Sequence, residues 1–312
     1  MGLAMEKLCE HIAMKYFGGA PSLVTPLGGG FYGRVFLVDM SGTSQKMIVK
    51  IHLFPELAEK EARQLEILRS HAIVRMPRVH MTHHADSEVP YDAIVMEYIA
   101  GRNAGDSGLE LSVKDRDFVA GLIVGNLISY HATEHKEGFG EIGAVSYVPE
   151  WSEYYKSIAD ETFGKAKVFS DKKVMDSETF SVVEKARERY EQIFYLPITE
   201  AGLIHGDYNT WNILLNEELT DVAAVIDPFN CRWADTEMDL YQLNNANGKD
   251  YRLLEVYSER VKLSENFPLK TCFYELFTEI AHYYDAGIAI GHSNIRETAG
   301  ELARQMHVFG IG

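Results

Sequence analysis

His205, Asp207, Asn212 and Asp227 are the residues of this chain whose types and spacing could do chemistry. They stand in His205-Gly206-Asp207-Tyr208-Asn209-Thr210-Trp211-Asn212, followed by the apolar Ile213-Leu214-Leu215, a polar stretch, and Val222-Ala223-Ala224-Val225-Ile226-Asp227. The order is H-G-D-x-x-x-x-N, a short strand, a turn, and a second strand ending in Asp. A carboxylate at 207 can orient a hydroxyl and take its proton, while an amide and a second carboxylate can share a divalent cation. Phosphoryl transfer from ATP needs those roles together. The spacing also has a geometric reason. Asn212 opens one strand, Asn216 to Thr220 suits the turn, and Asp227 closes the other strand. In an antiparallel hairpin residues 212 and 227 therefore meet at one end, with Asp207 on the loop just upstream.

A nucleotide needs a second set of groups. Gly28-x-Gly30-x-x-Gly33-x-Val35 fits a glycine-rich loop whose backbone N–H groups can approach phosphates. Val35 to Met40 reads as a strand, so the loop belongs to a hairpin over ATP and not to a dinucleotide-binding turn, where a helix follows. No Gly-Lys-Ser/Thr follows, which excludes a Walker-type loop. Lys50 ends the apolar strand Met47-Ile48-Val49 and can reach the α- and β-phosphates. Its expected partner is Glu61. That residue lies four after Leu57 and four before Leu65, on the inward stripe of the next helix, whereas Glu59 points elsewhere. Met96, Glu97 and Tyr98, at the end of the strand Ala93 to Tyr98, are placed to offer backbone groups to adenine.

The elements that must position these groups follow from periodicity. Leu3 to Phe17 is an amphipathic helix stopped by Gly18-Gly19, and Ser41-Gly42-Thr43 makes a turn. Pro55 to Ser70 is a helix. Ala100 to Gly108 is small and polar and suits a hinge. Beyond it the chain reads as helical, over Lys114 to Glu134, Trp151 to Ala166 and Thr179 to Tyr195, apart from the hairpin. A strand-rich first third and a helical remainder give an α+β chain, divided as 1–98 and 99–312.

Composition excludes several function classes. The 312 residues can bury a large core, and no apolar run reaches membrane-spanning length. The first residues do not read as a signal peptide, so the expected compartment is the cytoplasm. Cys9, Cys231 and Cys272 are odd in number and far apart, which argues against a disulfide framework or a zinc site. A net charge of −16 argues against nucleic acid and is compatible with a cationic substrate and equally with simple solubility.

Taken together, these residues resemble the aminoglycoside phosphotransferase and choline kinase superfamily, and within it the fructosamine (ketosamine) kinases. The resemblance extends over most of the chain. It includes Glu61-x-x-x-Leu65-x-x-Leu68, Val74 to Val79, Phe139-Gly140, Ile226-Asp227-Pro228, Glu237-Met238-Asp239-Leu240 and Tyr274 to Phe277. It implies a protein-kinase-like two-lobed fold: a small β-rich N-lobe, and a larger mostly helical C-lobe with a catalytic β-hairpin. It also implies ATP and Mg²⁺ as cofactors and a small amine-bearing molecule as acceptor. Fructosamine kinases usually read H-G-D-L-W-x-G-N. Here Tyr208, Asn209, Thr210 and Trp211 fill those slots, and Phe229 to Trp233 is also unusual.

The expected roles are then Asp207 as base, Asn212 and Asp227 as Mg²⁺ ligands, and His205 and Asp239 as braces of the loop. Asp235, Glu237, Glu275 and Glu279 fall in segments that line the acceptor cleft in relatives, and Trp211 and Trp233 either stack on the acceptor or pack in the core. The leading expectation is transfer to a hydroxyl of a fructosamine- or ribulosamine-type acceptor. The alternatives are an antibiotic or amino-alcohol kinase, and a nucleotide-binding regulatory protein without turnover. A protein kinase is disfavoured because no Ala-Pro-Glu closes an activation segment. The sequence does not fix the oligomeric state.

Overall fold

The structure, a computed structural model, describes residues 2–42, 45–287 and 293–312, so Thr43 of the expected turn lies outside the described residues. The chain forms two compact units, one of residues 1–126 with 211–229 and one of 127–210 with 230–312. This grouping differs from a simple cut at 98/99. The strand Arg102–Asn103 pairs with Ile213–Leu215, which pairs in turn with Val222–Val225, and those ladders tie the hairpin to the first unit.

In the first unit, helix α1 (Gly2–Phe17) ends at Gly18, whose φ of 69° is left-handed. Five antiparallel strands follow: β1 (Pro21–Gly28), β2 (Gly33–Met40), β3 (Lys46–His52), β4 (Val79–His83) and β5 (Ala93–Glu97), in spatial order β1-β2-β3-β5-β4. On β3, Met47, Val49 and Ile51 are buried in a core with Cys9, Ile12 and Ala13 of α1. The larger of these side chains (Met47, Val49, Ile51 and Ile12) each contribute about 1.5–3 kcal/mol by leaving water. Alternation then sends Lys50 and His52 to the other face. Helix α2 (Leu57–His71) buries Ala58, Glu61, Gln64, Leu65 and Leu68, so the stripe begins at Ala58 and not at Leu57.

The second unit is mostly helical, with Trp151–Asp171, Ser177–Glu188, Phe267–Asp285 and Ser293–Val308 as its long elements. Asp176 caps the second of these by accepting the Thr179 N–H at 2.9 Å. Tyr155 stacks on Trp151 with ring centroids 5.2 Å apart, and Phe194, Phe273 and Tyr274 pack tilted or edge-on around Tyr155. This unit also holds a small sheet that the sequence reading did not anticipate. Ala201–Ile204 and Arg232–Ala234 are its inner strands, flanked by Glu134–His135 and Gly140–Glu141. The sheet matters because its inner strands lead into and out of the segments that carry the candidate chemistry.

Candidate active site

Lys50 lies at the centre of the first unit's polar cluster. Its ammonium is 2.8 Å from Glu61 Oε2 and 2.5 Å from Asp227 Oδ1. The expected Lys50–Glu61 pair is thus formed, while Glu59 turns away to accept from Thr82 Oγ1 at 2.5 Å. Burial alone would lower the Lys50 pKa, but the two carboxylates outweigh it and hold the ammonium above the usual lysine range. Burial pushes Glu61 up to about 7 against the opposing pull of Lys50. With an ammonium at 2.8 Å, the charged pair is the state the geometry favours. His52 completes the cluster, its Nε2 3.3 Å from Glu61 Oε2. Burial and then Lys50 push its pKa down to about 4, so the ring is neutral.

The hairpin closes as its spacing requires. Ile213 pairs with Val225, and the Ile226 N–H donates to the Asn212 carbonyl at 2.9 Å, so residues 212 and 227 flank one end. Asn212 ends a short 3₁₀ turn, Thr210–Asn212. Asp227 sits at a φ of 56°, a left-handed conformation that costs a non-glycine residue about 1–3 kcal/mol and is often found where function over-determines the backbone. An amide oxygen and a carboxylate suit a hard cation that takes its remaining ligands from phosphates and water. Among the described residues no group of three or more His, Cys, Asp or Glu could hold a metal unaided. Asn212 and Asp227 could supply two oxygen ligands to such a cation.

The glycine-rich loop joins β1 to β2. Gly28 has a φ of 139°, a backbone conformation that favours glycine, and a Cβ on Gly33 would press on the Ile51 carbonyl at 3.0 Å while meeting Lys50 Cε at 3.5 Å, so the loop lies in van der Waals reach of the lysine. Gly30 has open space around it. Tyr32 at the loop tip meets Phe229, two residues past Asp227, with ring centroids 4.9 Å apart, a contact no local pattern announces.

In the second unit, the loop carrying Asp207 is pinned by Asp239. The two carboxylate oxygens accept the N–H groups of His205 (2.8 Å) and Gly206 (2.7 Å). His131 Nε2 approaches the same carboxylate at 3.3 Å and is itself fixed by the Tyr257 hydroxyl. The buried His205 ring lies edge-on to Tyr208. Asp207 accepts the Asn209 side-chain N–H at 2.7 Å.

The other expected residues are placed less simply. Trp233 is buried, stacked at 4.5 Å on His135, and belongs to the small sheet, so packing is its part and it offers no face to an acceptor. Asp235 is buried as well. Its carboxylate accepts from Lys270 (2.6 Å) and Tyr274 (2.6 Å), so it is an internal ion-pair partner and not an exposed acceptor contact. Glu237 shares Lys270 at 2.9 Å. Glu275 is half-buried on Phe267–Asp285, and burial raises its pKa against the pull of Lys249. Trp211 does stay open, 55% exposed, with its indole over Gly105, where a Cβ would come within 2.7 Å. Glu97 donates its own N–H to the Arg78 carbonyl and pairs its side chain with Arg75, so that N–H is already used. Lys46 stands over the Tyr98 ring at 5.9 Å. Lys270, His52, Phe229 and Gln242 were not anticipated. Lys270, Phe229 and Gln242 owe their places to tertiary contacts for which the sequence carries no spacing signal, whereas His52 follows Lys50 by two residues on the same strand face.

The architecture is a kinase-like fold, with a β-sheet region followed by a mostly helical one. Solved structures share it across nearly their whole length. A provisionally assigned fructosamine-3-kinase from Haemophilus somnus 129PT aligns with a TM-score of 0.71 at 14% identity, covering 96% of this chain and 97% of that one. A thermostable mutant of aminoglycoside phosphotransferase APH(4)-Ia gives 0.70 at 17% identity, covering 96% and 98%. A further variant of that enzyme, in ternary complex with ADP and hygromycin B, gives 0.69 at 17% identity, covering 97% and 98%. The chain belongs to the phosphotransferase enzyme family, whose profile matches residues 23–260. The uncharacterized protein YcbJ of Escherichia coli (strain K12) is 23% identical over 260 residues, covering 80% of this chain and 83% of that protein. No described helix is long and apolar enough to cross a membrane.

Proposed function

We propose that the protein is an ATP-dependent small-molecule kinase that phosphorylates a hydroxyl of a sugar-amine acceptor of the fructosamine or ribulosamine type. The observation that carries the reading is Lys50, held between Glu61 and Asp227 beside the end of the hairpin that Asn212 opens. In that role Lys50 binds the α- and β-phosphates, Glu61 orients the ammonium, and the glycine-loop backbone covers the phosphates. Asn212 and Asp227 would hold Mg²⁺, which when bound neutralises charge between the β- and γ-phosphates. Asp207 aligns the acceptor hydroxyl. As the new O–P bond forms and the bond from Pγ to the ADP oxygen breaks, the hydroxyl proton passes to the Asp207 carboxylate. Half-buried Glu275 and Glu279, in their ionised forms, offer negative charge suited to an amine, whose own positive charge would favour those forms.

The likeness in fold to aminoglycoside phosphotransferases, at nearly the same TM-score, supports a second reading with an aminoglycoside acceptor. An ADP-release assay across fructoselysine, a ribulosamine, kanamycin, hygromycin B, choline and homoserine separates the two. Stimulation by the ketosamines supports the first reading and stimulation by the antibiotics the second. Tight ATP binding with no turnover on any of them refutes both and favours a regulatory nucleotide-binding role. Asp207→Asn should lower turnover by at least roughly a hundredfold with ATP affinity retained.

A further inference from the structure

We propose that Asn209 is the positioning residue that fixes the Asp207 carboxylate for its work as base, and that Gln242 holds Asn209 in turn. The inference rests on the reading of Asp207 given above. Asn209 Nδ2 lies 2.7 Å from Asp207 Oδ1 and 3.4 Å from Gln242 Oε1. An ionised carboxylate only accepts, so the Asn209 amide must present its NH₂ end, whose two hydrogens match the two acceptors. The orientation of Gln242 is set independently. Its Nε2 donates to the Tyr241 hydroxyl at 3.0 Å, and its Oε1 accepts from Asn245 Nδ2 at 2.9 Å. The oxygen of Gln242 therefore faces Asn209, as the arrangement needs.

The mechanical sense is specific. The last torsion of an aspartate is broad, and packing alone sets it weakly. A hydrogen bond on one oxygen fixes the plane of the carboxylate. The backbone turn helps, because the Asn209 N–H donates to the Asp207 carbonyl at 3.0 Å. Gln242 and Asp239 both belong to the 3₁₀ helix Thr236–Asn244. That one element holds the loop twice: its backbone through Asp239 at residues 205 and 206, and its reacting side chain through Gln242 and Asn209. The asparagine occupies a slot where the sequence departs from the usual ketosamine-kinase pattern, so the hydrogen bond gives that departure a purpose.

The test compares the full-length wild type with Asn209→Ala, Asn209→Leu, Asn209→His, Gln242→Ala and Asp207→Asn. ADP release is followed with the best acceptor of the panel above, and melting temperature is measured in parallel. Asn209→Leu keeps the number and branching of side-chain heavy atoms and removes the donor, so it decides the matter should the alanine variant fold poorly. The expected result is a fall in kcat of roughly tenfold to a hundredfold for Asn209→Ala and Asn209→Leu, with KM for ATP and melting temperature unchanged. Asn209→His, which retains an N–H donor, recovers part of the loss. Gln242→Ala gives a smaller fall and adds nothing to Asn209→Ala in the double variant. Wild-type kcat in Asn209→Leu, with Asp207→Asn inactive, overturns the inference and leaves the kinase reading standing. Full activity in Asp207→Asn, or no acceptor-dependent turnover by the wild type, removes the kinase reading and the inference with it.

Discussion

Replacing Lys270 by methionine should destabilise the protein by about 3 kcal/mol, the low end of the range for breaking a buried ion pair. Lys270 is only 2% exposed. Its ammonium donates to Asp235 at 2.6 Å and to Glu237 at 2.9 Å. Burial alone would depress its pKa, yet the two acids hold it raised, so the charge is present. Methionine fills the space of the lysine stem and removes only the charged end. Two charge-assisted hydrogen bonds at about 1.5–3 kcal/mol each put the loss at about 3–6 kcal/mol. The acids are not left bare, which selects the low end. Asp235 keeps the Tyr274 hydroxyl at 2.6 Å, and Glu237 keeps the N–H and hydroxyl of Ser264, both at 2.6 Å. Urea unfolding followed by circular dichroism at neutral pH reads the change as a lower midpoint at constant slope. Neutralising all three groups, in Asp235→Asn/Glu237→Gln/Lys270→Met, should recover at least half of the loss, because the cost comes from buried charge without a partner. A loss below about 1 kcal/mol in Lys270→Met, or a triple variant weaker than the single one, refutes the reasoning.

Glu61→Gln keeps the shape of the Lys50 partner and removes its charge. The missing charge-assisted bond, about 1.5–3 kcal/mol, predicts a kcat lower by one to two orders of magnitude in ADP release, and wild-type kcat would remove the pair from the mechanism. Glu279 predicts a pH dependence of stability. Burial, and then Glu275, push it up from its ordinary 4.5 to about 7. A carboxyl raised by folding favours the folded state in its protonated form, so its contribution is whole below pH 4.5 and is lost as pH climbs through 7. That rise corresponds to roughly 3 kcal/mol, and the solvent still reaching the group reduces it to about 1–2 kcal/mol. Urea midpoints taken at about pH 5 and about pH 8.5 should therefore fall further for the wild type than for Glu279→Gln, and parallel behaviour of the two would refute the argument.

What could be read from the sequence depended on how each side chain finds its partner. Lys50 and Glu61 were legible because strand alternation and helical period each assign a face, and two such faces leave one meeting point. The ends of the hairpin were legible for the same reason. The small sheet was not. Its strands are two to four residues long, too short for alternation to register, and the wholly buried Ala201–Ile204 reads equally well as helix. Trp233 and Asp235 have the residue types of ligand contacts, and only their distant partners His135 and Lys270 reveal them as internal. The helix expected over Thr179 to Tyr195 is interrupted after Glu188, where Arg189 leaves helical geometry at φ −97° and ψ 15°, and resumes for one turn as Tyr190–Ile193. Asn209 stands at the boundary between the two cases. The H-G-D-x-x-x-x-N spacing fixes its place two residues after Asp207, and the bond between them is local. What steadies that bond is Gln242, 33 residues further on, brought there by a helix whose own position depends on the buried Lys270. The local half of that arrangement is open to reasoning from spacing, and the half that gives it rigidity is not. The Gln242→Ala and Lys270→Met variants therefore probe the part of the site that no motif encodes.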